Sequence, residues 1–208
     1  MISLRNAVAV AALGCLLSLM FSCASSSLVD KWHDPSYQSP PLAKILIIAV
    51  RKNAGKRRIW EDAFAAELAK QGVAATQSYG LFPDSFPDTS QVFTTVQTNG
   101  FDAILAVLKL PTEKVRPFTS EERNINYSSY WQRYLTYYRD IDGPAYEDSG
   151  LVAIREIDVT TTGNNGRLIW TATSRTPDPA SVSDAQSGIA GLVVSDLAKQ
   201  NIIKSGKK

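Results

Sequence analysis

A run of basic residues is the first stretch of this chain that could do chemistry. It places five cations within eight residues, at Arg51, Lys52, Lys56, Arg57 and Arg58. The first interpretation of such a run is an ordinary solvated loop, and the alternative is a site for an anionic partner, for example phospholipid head groups or cell-wall carboxylates. It is not a phosphate-binding P-loop, because Val50 and Arg57 stand where that motif requires a glycine and a serine or threonine.

The densest group of aromatic residues lies in the second half of the chain. Its members are Tyr127, Tyr130, Trp131, Tyr134, Tyr137 and Tyr138. Their spacing fits a helical stripe and also the alternation of a strand, so periodicity does not decide the element. One interpretation is that the rings pack over a sheet. The other is a stacking platform for sugar or peptide, formed by Tyr127, Tyr130, Trp131 and Tyr134.

Few other residues could support catalysis or bind a metal. The only histidine is His33, which excludes Ser-His-Asp, Cys-His and multi-histidine metal chemistry in the domain that follows. Acidic residues between 140 and 148 hint at a calcium loop, but Pro144 occupies a ligand position of that motif. The sequence also lacks a Gly-x-Ser-x-Gly nucleophile elbow. We therefore expect no enzyme activity, no metal and no cofactor.

A cysteine after an apolar N-terminal run is the most informative residue. Residues 1–22 have the pattern of an export signal, and its apolar run from 7 to 21 is shorter than the roughly 20 residues that cross a bilayer. The residues before Cys23 resemble a bacterial lipobox, although Met20 and Phe21 differ from the usual residues there. We expect cleavage before Cys23 and its acylation, with a secreted protein or an uncleaved anchor as alternatives.

The elements that would position these residues follow from apolar patterning. Residues 44–50 and 101–110 are near-continuous apolar runs typical of strands buried on both faces, and 71–79 is a weaker strand. Helical stripes connect them at 58–71, where Glu61 and Asp62 lie in the predicted first turn, and at 90–99, where Val92, Phe93 and Val96 form the apolar face. Asp88, Thr89 or Ser90 is the predicted cap of the second helix and Gly100 its end, and such an order of elements favours parallel strands. Segments 150–160 and 167–175 predict an antiparallel hairpin with Leu168, Trp170 and Ala172 facing inward and with a bulge or an exposed edge around Arg155-Glu156. A last helix follows Pro179, and its apolar face is formed by Ile189, Leu192, Val193 and Leu197.

These elements predict one α/β domain, a mixed sheet in which a parallel β-α-β-α-β unit precedes an antiparallel hairpin, with helices packed on it. We divide the chain into a signal peptide at 1–22, a lipidated flexible tether at 23–41, the domain at 42–204 and a basic tail at 205–208. The formal net charge of +2 argues neither for nor against nucleic acid, and we expect none as a partner.

Several motifs resemble a family of small bacterial envelope lipoproteins whose function is not assigned. They are Trp32-His33-Asp34-Pro35, Lys44-Ile45-Leu46-Ile47-Ile48, Arg57-Arg58 with Glu61-Asp62, Gly100-Phe101-Asp102, the run from Arg167 to Ser174 and Thr176-Pro177-Asp178-Pro179. The element order is also similar to the amino-terminal domain of the Tol-Pal translocation protein and to lipoproteins that activate cell-wall synthases. Ala24 after the acylated cysteine implies the periplasmic face of the outer membrane.

The resemblance and the residues together predict a lipid-anchored, non-catalytic envelope lipoprotein. Its expected partners are the membrane, through acylated Cys23, and an envelope protein or cell-wall component. The alternatives are a component of a larger envelope assembly and a hydrolase acting on wall or lipid.

Overall fold

The computed structural model describes residues 26–51, 53–109, 152–163, 166–177 and 182–206. The described strands are β1 (Ser27–His33), β2 (Lys44–Ala49), β3 (Ala74–Gln77), β4 (Ala103–Lys109), β5 (Val152–Thr161) and β6 (Leu168–Pro177). The described helices are α1 (Ala54–Lys70), α2 (Ser78–Leu81), α3 (Thr89–Asn99) and α4 (Val182–Lys199). The strands form one sheet in the order β1-β6-β5-β4-β2-β3.

The parallel half of the sheet is built around β2. This strand pairs in parallel with β3 on one side and with β4 on the other. Residues 45–50 are buried, as expected of a strand covered on both faces. The α/β class, the mixed sheet and the strand-helix-strand-helix-strand order predicted from the sequence are confirmed.

The antiparallel half continues from β4 through β5 and β6 to β1. The predicted hairpin is confirmed, and Leu168, Trp170 and Ala172 are buried as expected. The irregularity in the β5 and β6 pairing lies between Val159 and Thr160, so the bulge predicted near Arg155 was placed at the wrong end of the strand.

Strand β1 corrects the predicted flexible tether. The prediction for 23–41 is wrong over Ser27–His33, because these residues pair with β6 as an edge strand of the sheet. The pairing shifts register between Val29 and Trp32, and Asp30 there has a φ of 50°. This interruption breaks the alternation that identifies a strand in a sequence.

The sheet buries apolar residues on both of its faces. Helices α1 and α4 cover one face, with Trp60, Phe64 and Leu68 of α1 and Ile189, Val193 and Leu197 of α4 in that core. Helix α3 covers the other face with Val92 and Val96. Each fully buried side chain of this size contributes about 1.5–3 kcal/mol. Two predicted core residues are exposed instead, Phe93 at 47% and Leu192 at 41%.

Helix α1 begins earlier than its apolar stripe indicates. Asn53 is its N-cap and accepts a hydrogen bond from the backbone N of Lys56 at 2.9 Å. The first turn therefore contains Lys56 and Arg57 and no acidic residue, whereas the sequence predicts Glu61 and Asp62 in that turn. Positive charge at a helix N-terminus opposes the macrodipole, so helix stability does not explain these cations.

Asp196 attaches the edge strand β1 to α4. Its carboxylate accepts hydrogen bonds from Lys31 of β1 at 2.7 Å and from the indole N–H of Trp170 at 2.9 Å. Burial tends to raise the pKa of Asp196, but the hydrogen bonds from Lys31 and Trp170 outweigh it and hold this pKa below its ordinary value.

In the described part of the chain, none of the helices has the length and apolarity that a membrane crossing requires.

Candidate functional site at the carboxyl edge of the sheet

The predicted basic cluster lies where the three parallel strands end, an edge that we call the carboxyl edge. The chain runs from β2 through α1 to β3, which lies on one side of β2. It then runs from β3 through α2 and α3 to β4, which lies on the other side of β2. The strand order therefore reverses around β2, and open α/β sheets bind ligands at such switch points. Arg51 follows β2 here, and α1 begins here.

A carboxylate from α1 organises this edge. Glu61 is fully buried and accepts hydrogen bonds from the backbone N of Ala49 at 3.0 Å and from the Ser78 hydroxyl at 2.6 Å. It also accepts from the Nε of Arg57 at 3.1 Å and from the backbone N of Tyr79 at 2.9 Å. One side chain thus connects the end of β2, helix α1 and helix α2.

Arg57 occupies the second position of this network. Its guanidinium donates to Glu61, to the Ser78 hydroxyl at 2.8 Å, and to the backbone oxygens of Phe82 at 3.2 Å and Ser85 at 3.3 Å. It also lies over the ring of Phe86, 5.5 Å from the centroid. The side chain is buried, so its charge is balanced within the protein rather than offered to a partner.

The polar side chains of this network hydrogen-bond to one another and are shielded from solvent. Ser78 and Glu61 are both fully buried, and the hydroxyl of Ser78 already donates to Glu61 and accepts from Arg57. A nucleophile or general base must reach its substrate. Across the described ranges, no group of three or more histidine, cysteine, aspartate or glutamate residues could hold a metal ion.

A tryptophan beside this network is flanked by two arginines. The guanidinium carbons of Arg51 and Arg155 each lie 5.5 Å from the Trp60 ring centroid. Arg51 also donates to the backbone oxygen of Val50 at 2.6 Å. These cation-π contacts join the end of β2, α1 and the start of β5.

Exposed polar residues surround the buried network. Lys56 and Arg58 are exposed on the first turns of α1, and Arg58 lies 5.0 Å from the centroid of the Tyr79 ring. The Tyr79 hydroxyl donates to Asp62 at 2.6 Å. That hydrogen bond, with burial as the second cause, raises the pKa of Tyr79.

The structure thus divides the five predicted cations. It buries Arg51 and Arg57, exposes Lys56 and Arg58, and Lys52 lies outside the described residues. Anion binding by this set stays a prediction, and Lys56 and Arg58 are its exposed members among the described residues. Cys23 and the aromatic set Tyr127, Tyr130, Trp131 and Tyr134 also lie outside the described residues.

Sequence reasoning missed the pairing of Arg57 with Glu61. The two residues are four apart, which is the spacing of a helical ion pair, but the helix predicted from the sequence begins at 58 and excludes Arg57. That signal was present, but it was assigned to a loop followed by a helix start. Arg155 carried no signal, because only the sheet brings it to Trp60.

Comparisons with known proteins assign no family. No family model matches the sequence, and a search of curated proteins finds no match. The chain is similar to a solved PelC dodecamer from Paraburkholderia phytofirmans, with 11% identity over 86% of this chain and 99% of that chain and a TM-score of 0.43. A variant of that dodecamer gives a TM-score of 0.45 at the same identity of 11% and the same coverage of 86% and 99%.

A third solved structure is lipoprotein GNA1162 from Neisseria meningitidis, with 14% identity over 76% of this chain and 96% of that chain and a TM-score of 0.37. TM-scores and identities this low carry no argument about function. The similarity to the Tol-Pal translocation protein and to synthase activators stays a prediction.

Proposed function

We propose that this chain is a lipid-anchored envelope protein, acylated at Cys23 and held at the periplasmic face of the outer membrane. Its domain binds a protein partner or a cell-wall component and carries out no catalysis. The observation that supports this proposal is the distance along the chain between Cys23 and the fold. Strand β1 starts at Ser27, four residues after Cys23.

A short connection of this kind keeps the domain beside the lipid. Four extended residues span at most about 14 Å, so the start of β1 stays within that distance of the acylated cysteine. Each buried methylene of an acyl chain contributes about 0.8 kcal/mol, and several chains therefore give stable anchoring. Confinement to a thin layer raises the effective concentration for partners in the same layer, so weak contacts suffice.

The carboxyl edge supports a non-catalytic role. The buried Ser78 and Glu61 hydrogen-bond to each other, to Arg57 and to backbone N–H groups. Such a network fixes a surface, and a fixed surface is what recognition of a partner requires.

Labelling of cells with radioactive palmitate tests the anchor. We expect label in the wild-type protein and in the Cys15→Ser variant, whose change lies in the predicted signal. The Cys23→Ser variant should carry no label and should leave the membrane fraction. Label that persists in Cys23→Ser, or is absent from the wild type, contradicts the anchor.

Crosslinking in cells followed by mass spectrometry tests the partner. Wild type should crosslink reproducibly to an envelope protein or to wall material, and Cys23→Ser should lose that product. Turnover of wall or lipid substrates by the purified protein would instead support the hydrolase alternative and contradict the proposal.

A further inference from the structure

The start of β1, four residues after Cys23, lies at the same edge of the sheet as three exposed cations. Strand β6 is antiparallel to β5 and parallel in direction to β4, so β6 ends at the carboxyl edge. Strand β1 is antiparallel to β6 and therefore starts there, with Ser27 directly opposite Arg175. The residue four positions after Cys23 is thus a cross-strand neighbour of an exposed arginine.

Further basic residues continue along this edge. Lys109 is opposite Arg155 in the pairing of β4 and β5, in the row next to Arg175. Lys56 and Arg58 are exposed on the first turns of α1, directly after β2. Neighbouring strands lie about 4.8 Å apart, so the edge from β1 to β2 extends roughly 19 Å, the width of a few lipid head groups.

Two of the described carboxylates at this edge accept hydrogen bonds within the protein. Asp62 accepts hydrogen bonds from Tyr79 and from Gln77. Asp88 is the N-cap of α3 and accepts a hydrogen bond from the backbone N of Gln91. Asp84 is exposed in the preceding loop. Lys56, Arg58 and Arg175 are exposed, and the proposed anchor at Cys23 would hold Ser27, at the same edge, within about 14 Å of the membrane.

We propose that the carboxyl edge of the sheet docks on anionic phospholipid head groups, with Lys56, Arg58 and Arg175 as its contact residues. This inference rests on the proposed anchor at Cys23, which places the edge near the bilayer. Docking of this edge leaves the opposite edge, where α1 and α4 end, directed away from the membrane and accessible to other molecules. Each cation near an anionic surface strengthens docking by about fivefold.

The test uses the acylated protein in vesicles of phosphatidylcholine, alone or with an equal part of phosphatidylglycerol. Once Cys15 is removed with the signal and Cys23 is acylated, a single new cysteine can carry a fluorophore. S85C places the fluorophore at the carboxyl edge and S205C places it at the opposite edge, and both positions are exposed. Energy transfer to head-group acceptor lipids then reports which edge faces the bilayer.

Phosphatidylglycerol should increase energy transfer from the S85C fluorophore and not from the S205C fluorophore, and high salt should abolish the increase. Replacing Lys56, Arg58 and Arg175 by glutamine should weaken docking about 100-fold. The matched control replaces Lys70, Lys199 and Lys204, which are exposed at the opposite edge, and should change docking less than about fivefold.

Equal effects of the two triple replacements, or no dependence on phosphatidylglycerol, would overturn the inference. Acylation is measured on the same preparations by intact mass. An acylated protein without docking leaves the proposed anchor standing and removes only this inference. An unacylated protein overturns both.

Discussion

At the scale of single residues, Glu61 and Arg57 show how one buried ion pair joins several elements. Glu61 is fully buried, and its two oxygens receive four hydrogen bonds. A buried charge is tolerated only when it is paired and hydrogen-bonded, because desolvation otherwise outweighs the attraction. Both conditions are met here, and the removal of either partner leaves the other charge uncompensated.

Replacing Glu61 by glutamine should therefore destabilise the protein by about 3–5 kcal/mol, the range for breaking a buried pair. The amide would leave Arg57 buried with its charge unbalanced. Urea unfolding of the processed protein measures the change. Glu67→Gln is the matched control on the same helix, because the pair of Glu67 with Lys70 is more exposed and should contribute less than about 1 kcal/mol. Equal effects of the two replacements would contradict the account.

The lowered pKa of Asp196 predicts that the free energy of unfolding decreases at low pH. Its pKa is lower in the folded protein than its ordinary value of 3.8, so its contribution is complete above that value and is lost as the pH falls through the folded pKa. Asp196→Asn should cost about 1–3 kcal/mol at neutral pH and little at low pH. Denaturant unfolding at a series of pH values, followed by Trp fluorescence, measures both. A constant difference at every pH would rule out this role.

At the scale of elements, the ends of α3 were predicted better than the edge strand β1. The sequence indicates Asp88, Thr89 or Ser90 as the start of α3 and Gly100 as its end, and the structure has a capping box at Asp88 and a left-handed cap at Gly100. Strand β1 escaped prediction because an edge strand is only partly buried and its register breaks at Asp30. The alternation of a strand is a signal of burial, so an irregular edge gives little of it.

Replacement of two glycines by alanine should change the stability of the protein in opposite directions, because the two glycines have different backbone conformations. Gly100 has a φ of 61° with open space around it, so Gly100→Ala should cost about 1–2 kcal/mol from backbone strain alone. Gly188 lies within α4, also in open space, and Gly188→Ala should instead stabilise the protein by about 0.5–1 kcal/mol. Thermal unfolding of both variants gives the two signs, and the same sign for both would contradict the assigned conformations.

Strand β1 makes a direct prediction for hydrogen exchange. Amides of β1 that bond to β6 should exchange much more slowly than those of Asp84 and Ser85 in an exposed loop. NMR of the processed protein resolves these amides individually. Exchange of the whole segment 27–33 at the rate of an unstructured peptide would contradict the pairing of β1 with β6 and support a flexible tether instead.

At the scale of the whole molecule, the sequence predicted the class of the fold and not the environment of its charges. Buried runs such as residues 44–50 report burial on both faces and hence a covered sheet. Which cations stay in water depends on long-range packing, and Arg57 became buried because residues 78–85 close over it. Likewise, only the strand order places Ser27 beside Arg175.

The strand order also determines which part of the fold an acylated Cys23 would hold near the membrane. An acylated Cys23 would hold the start of an edge strand, and with it the carboxyl edge of the sheet, close to the bilayer. A long flexible tether would leave the orientation free. The account therefore depends on covalent lipid at Cys23 more than on any other feature of the chain.

Mass spectrometry of the amino-terminal peptide from membrane-extracted protein tests this most directly. The account predicts a mature chain that starts at Cys23 and carries acyl groups on that residue. An unmodified Cys23, or a mature chain that starts at another residue, would contradict it.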